Sequence, residues 1–98
     1  MTMLDLIHPG EILFEEFMLP LEVSQNRLAQ DLNVPTNRIN DLVHGRRGIT
    51  ADTALRLSKY FGITPDFWLG LQMEFDLRRA KRGSGLQERD KVRIIEAA

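Results

Sequence analysis

The stretch SQNRLAQDLNVPTNRINDLVHG, residues 24–45, decides the fold. Ser24 is a helix N-cap by type, since its hydroxyl accepts from a first-turn backbone N–H. Leu28, Ala29 and Leu32 recur at helical spacing, which predicts a helix over 25–32. Asn33-Val34-Pro35 breaks the chain within three residues. A second helix follows from about Thr36 to His44 and stops at Gly45, the residue that most easily takes left-handed backbone. Ala29 is small enough for the two helices to cross closely, at the steep angle of a helix-turn-helix. On the second helix Ile39, Leu42 and Val43 cluster on one side and should face the core. Asn37, Asp41 and His44 point the other way. Arg38 and Asn40 lie on the flanks, and Thr36 is exposed at the helix start.

That outward set is unusual for a merely soluble surface, where Glu and Lys are the common choice. Asn bonds adenine N6 and N7 together, Arg forks onto guanine O6 and N7, and Asp accepts from cytosine N4. Thr36, Asn37, Arg38, Asn40 and Asp41 are therefore candidate base readers on a helix of the size that enters a major groove. Asp41 repels phosphate, so it belongs over a base or over nothing. Gln25 sits where a helix N-terminus meets a DNA phosphate. Arg46 and Arg47, after the turn at Gly45, are placed to clamp the flanking phosphate, with His44 as a further backbone contact.

Outward from this pair the chain reads as short helices. Pro9 suits the first turn of a helix over 9–18, which Pro20 should end. Thr50 caps a helix over 51–61 that stops at Gly62. Thr64-Pro65-Asp66 repeats the start signal for the longest helix, from Pro65 to about Arg82. Trp68, Phe67, Leu71, Phe75 and Tyr60 read as core. No strand-like alternation is convincing, so the class is all-α. Residues 1–82 form one helix-turn-helix domain with its heart at 24–47. Residues 83–98, after Gly83-Ser84-Gly85, are a tail with room for a short extra element.

Composition bounds the function. The 98 residues are too few for a large catalytic barrel or a doubly wound nucleotide fold. With no cysteine there is neither a disulfide framework nor a Cys-based zinc site. No apolar run approaches the roughly 20 residues of a membrane span. The early Asp5 does not suit a secretory signal, so a cytoplasmic protein is expected. The net charge of −1 argues superficially against nucleic acid. The chain is polarised, however. Residues 1–23 carry Asp5, Glu11, Glu15, Glu16 and Glu22 and no Lys or Arg, a net −5, while residues 24–98 sum to +4. Two partner surfaces of opposite sign follow.

SQNRLAQDLNVPTNRINDLVHGRRGIT, residues 24–50, resembles the helix-turn-helix of the XRE (Cro-type) regulators. HPGEIL at 8–13, GRRGITADTALRLSKYFGITPDFWLGLQ at 45–72 and DL at 76–77 resemble more narrowly the HigA antitoxin, or virulence-associated protein I-like, group. The resemblance covers about residues 7–80. It implies a five-helix, lambda-repressor-like domain, a homodimer on a palindromic operator in double-stranded DNA, and a HigB-like, mRNA-cleaving toxin as protein partner. It also matches Thr36, Asn37, Arg38, Asn40 and Asp41 to base-facing positions, and Gln25, Arg46 and Arg47 to backbone-facing ones. Pro35 departs from a capping Ser and His44 from an Asn, which blurs the operator but not the fold.

The remaining candidates are blander. His8 and His44 stand in different elements with no cysteine to join them, so no metal, cofactor or enzymatic constellation is expected. His8 reads as a structural residue at a helix entry. Glu11, Glu15 and Glu16 read as a solvated face rather than paired catalytic acids, and they are the candidate contact for a basic toxin. Leu69, Met73 and Leu77 form a second apolar stripe on the long helix, the candidate dimer contact. The expected function is a sequence-specific repressor and antitoxin that autoregulates its promoter. The alternative is a stand-alone XRE-family regulator without a toxin, distinguished by what the neighbouring reading frame encodes.

Overall fold

A computed structural model describes residues 6–83 and 85–96. Asp5 and Ser84, both used above, lie outside them. Helix α1 runs over 9–21, α2 is Gln25–Leu32, α3 Thr36–Val43, α4 Ala51–Phe61, α5 Pro65–Arg82 and α6 Leu86–Asp90. No strand occurs among the described residues. The tail therefore contributes a sixth, short helix, followed to residue 96 by chain without regular structure.

Helix α1 corrects one expectation. Its middle, Leu13–Met18, is wound as a π-helix, with the Leu19 N–H donating to Phe14 O five residues back. Pro20 therefore does not end the helix, which passes through it to Leu21. In regular α winding the Pro20 ring would meet the carbonyl of Glu16. The wider turn shifts that carbonyl row and lets proline ride inside the last turn. The stop comes at Glu22, in left-handed backbone at φ 55°.

The other boundaries follow their caps. Ser24 Oγ accepts from the Arg27 N–H at 3.1 Å, and Thr50 Oγ1 from the Thr53 N–H at 3.3 Å. Helix α3 ends through Gly45 at φ 76°, whose N–H donates to Leu42 O. Thr64 precedes α5 without capping it through its side chain.

Leu13, Met18, Leu28, Ala29, Leu32, Ile39, Leu42, Ile49, Ala54, Leu57 and Trp68 form the buried core. Phe17 of α1 stacks with Phe61, Phe67 and Trp68, closing the far end. Five expected core positions lie further out. Val43, Tyr60 and Leu71 are only partly buried against the cluster, and Phe75 is half-buried. Phe67 is 38% exposed, because it borders the cluster by edge contact with Trp68 and Phe17 rather than filling it.

Helix α1 braces α3. At Gly10 a Cβ would stand only 1.7 Å from Leu42 O, so the two backbones touch there. His8 caps α1, its Nδ1 accepting from the Gly10 N–H at 2.9 Å, and its ring stands edge-on to Phe75 at 4.8 Å. The same ring lies 3.7 Å from where a Gly45 Cβ would be. HPG is thus the seat on which the C-terminal end of α3 rests.

Candidate nucleic-acid interface

The exposed side of α3, the N-terminus of α2 and the loop 44–50 form one polar surface. Thr36 and Asn37 stand exposed at the start of α3 with no side-chain bond among those resolved. Asn40 links elements. Its Nδ2 donates to Gln25 Oε1 at 3.0 Å, and its Oδ1 accepts from Arg46 Nη2 at 2.7 Å. Asp41 holds both arginines, with Oδ1 3.2 Å from Arg46 Nε and Oδ2 3.6 Å from Arg47 Nη2. His44 Nδ1–H donates to Asn40 O at 2.8 Å, which turns Nε2 outward as an acceptor in the neutral ring.

Gln25, Asn40, Asp41, Arg46 and Arg47 are thus brought into one network, with His44 against its backbone. Arg38 is drawn to the side, 3.3 Å from Asp52 at the start of α4. Asp52 also takes Arg56 Nε at 2.9 Å, and the hydrogen bond from Arg56, seconded by Arg38, holds its carboxyl below the usual carboxylate value.

Sequence reasoning missed two residues that hold this surface in shape. Gln72 of α5 accepts the Ile49 N–H at Oε1, 2.7 Å, and donates through Nε2 to Asp76 at 3.0 Å. It ties the arginine loop to the longest helix. Arg56 of α4 donates to Leu32 O at 2.7 Å and Asn33 O at 3.1 Å, satisfying the carbonyls at the end of α2 where the turn begins. Both lie inside the 45–72 stretch that carries the resemblance, but that stretch gave neither of them a role. A single glutamine on the half-buried side of α5 is the faint signal.

Away from this surface, Glu11, Glu15 and Glu16 are exposed and have no ion pair among the described residues. Leu69, Met73 and Leu77 are 38%, 60% and 51% exposed, an apolar stripe left uncovered on α5. No helix among the described residues is long and apolar enough to cross a membrane.

Residues 14–68 match the family model described as helix-turn-helix. The chain belongs to this family. Within it the chain is 47% identical over 89 residues to virulence-associated protein I of Dichelobacter nodosus, covering 91% of this chain and 78% of that protein. A solved addiction-module antidote protein of the HigA family from Coxiella burnetii superposes with a TM-score of 0.84 at 49% identity, over 92% of this chain and 98% of that one. The Pseudomonas aeruginosa antitoxin HigA, solved with the higBA promoter, superposes at 0.87 and 39% identity, over 94% and 100%. The chain thus stands in the helix-turn-helix group that holds the HigA antitoxins and virulence-associated protein I.

Proposed function

We propose that this chain is a sequence-specific repressor that binds its own promoter and, as the antitoxin of a HigBA-type pair, neutralises an mRNA-cleaving toxin. One observation carries the DNA reading. A helix with Thr36 and Asn37 exposed and Asn40 half-buried beside them ends at a loop presenting Arg46 and Arg47. Side chains that address base edges stand beside cations that address phosphate. The P. aeruginosa relative solved with its promoter supports the same use of the fold.

In this reading residues 1–82 are the working domain and 83–98 an appendage. Each subunit of a homodimer lays α3 in the major groove of a palindromic operator. Thr36, Asn37, Arg38 and Asn40 face bases, with Arg38 first leaving Asp52. Gln25, His44, Arg46 and Arg47 face the backbone. Leu69, Met73 and Leu77 meet their symmetry mates. Glu11, Glu15 and Glu16, exposed and without an ion pair among the described residues, offer a face to a basic nuclease, which must itself attract RNA. The chain acts in the cytoplasm, is not an enzyme and uses no cofactor.

Two substitutions separate the roles. Asn37→Ala should cost about 1–3 kcal/mol of promoter binding and relax preference at one base pair. Arg46→Ala should weaken binding equally for every single-base variant of the promoter and lower the salt slope by about one unit. Promoter binding that survives both unchanged contradicts the docking. For the toxin face, reversing the charge of Glu11, Glu15 and Glu16 should weaken capture of the neighbouring gene's product. Unchanged affinity there removes the acidic helix from the interface.

A further inference from the structure

Asp41 is the acidic member of an otherwise DNA-seeking surface, and its carboxylate does not stand free over the groove side. It sits between Arg46 and Arg47, at 3.2 and 3.6 Å. The second holder of Arg46 is Asn40, whose Oδ1 lies 2.7 Å from Nη2, and the other end of the Asn40 amide is occupied by Gln25 at 3.0 Å. A bidentate contact from Asn40 to a base edge uses that same oxygen and nitrogen. Reading a base and holding Arg46 and Gln25 are therefore competing arrangements of one side chain.

We infer that Asp41 is an internal stand-in for DNA phosphate, which keeps the Arg46–Arg47 clamp closed until Asn40 has found its base. The inference rests on the DNA-binding reading above. In the free protein one carboxylate and one amide satisfy both guanidiniums. On the correct sequence Asn40 moves to the base. Arg46 then loses its shortest bond and Gln25 its amide partner, and both become available to the backbone. Asp41 alone no longer outcompetes the flanking phosphates. On unrelated DNA Asn40 has no reason to move, so the clamp stays shut and half of its charge stays cancelled. Base readout and phosphate affinity are coupled through a two-state polar network. The device suits a reading head that must ignore a large excess of wrong sequence.

Asp41→Asn is the direct test, because the amide keeps the shape and drops the charge. Affinity is measured by fluorescence anisotropy for a duplex of the chain's own promoter and for a shuffled duplex of equal length, over a series of salt concentrations. Both duplexes should gain, since neither has to break the Asp41 ion pairs, but only the shuffled duplex should steepen its salt dependence, by about one to two units, as the freed arginines reach phosphates that they already reach on the promoter. Asn40→Ala should likewise raise shuffled binding, while lowering promoter binding. Loss of promoter affinity in Asp41→Asn with no gain on the shuffled duplex would make Asp41 an ordinary base reader and overturn the inference. A salt dependence that steepens equally on both duplexes would reduce it to uncoupled repulsion, and no change of affinity or salt dependence on either would leave the ion pairs without effect; both results overturn it. If the unmodified protein does not prefer its promoter, the DNA reading falls and takes this inference with it. The other outcomes leave that reading standing.

Discussion

Gly10 and His8 show how single residues aim the recognition surface. A Cβ at Gly10 would lie 1.7 Å from the Leu42 carbonyl, and backbone cannot rotate away as a side chain can. Gly10→Ala should cost about 2–3 kcal/mol in urea unfolding, near the top of the overpacking range, and should weaken promoter binding by tilting α3. His8 must stay neutral at Nδ1 to accept the Gly10 N–H. Burial lowers its pKa, the Arg79 cation lowers it further, and Asp76 pulls the other way. The unfolded imidazole has its ordinary value near about 6.5, so below that pH the unfolded chain takes a proton the folded chain resists. This part of the stability is complete above about pH 6.5 and is lost as pH falls through that value toward the lowered folded one. Urea midpoints at pH 7.5 and 5.5 should differ less in His8→Asn, which keeps a capping acceptor that does not titrate. An equal loss in both proteins rules His8 out as the cause. The motif HPGE was legible as a helix start, with His8 a structural residue. That it is the seat of α3 was not, because a backbone contact across 32 residues leaves no periodic trace in the sequence.

At the scale of elements, the helices were legible wherever a local rule decides them. Ser24 and Thr50 cap as their hydroxyls predict, Gly45 and Gly62 take left-handed backbone, and Ile39 and Leu42 are fully buried. The failures come where a longer-range fit overrules the local rule. Pro20 should stop a helix, yet a π-wound segment carries α1 past it. Phe67 has the hydrophobicity of a core residue but meets the cluster at its rim. Asp41 was legible as a misfit among phosphate-seeking residues; its two arginine partners, five and six positions ahead around the Gly45 turn, were not. The loop that carries those arginines depends on α5 through Gln72. Gln72→Ala should orphan the Ile49 N–H and cost about 1–2 kcal/mol in stability. It should also speed hydrogen exchange of residues 46–50 more than that of α2. Exchange in the loop equal to the parent protein would show that Gln72 is not its anchor.

For the whole molecule, charge and apolar surface are sorted into separate faces. The −5 of residues 1–23 hides the +4 of the rest, and the exposed Glu11, Glu15 and Glu16 of α1 make no ion pair among the described residues. The α3 surface is different: its arginines are held by Asp41, Asp52 and the Asn40 amide, so its positive field is modest. Salt dependence of promoter binding should accordingly be shallow for a DNA-binding dimer, with base contacts and dimerisation carrying much of the affinity. The uncovered stripe of Leu69, Met73 and Leu77 is the surface available for a second copy. Met73→Glu should shift sedimentation toward monomer at micromolar concentration while leaving the helical circular dichroism spectrum intact. A persistent dimer would move the interface elsewhere. The central claim is that two copies of α3 read one operator together, and a footprint of the protein on its own promoter tests it most directly. Two protected half-sites about 34 Å apart on a dyad, with matching guanine contacts in each major groove, are the predicted result. A single unpaired patch, or protection no better than on shuffled DNA, would contradict it.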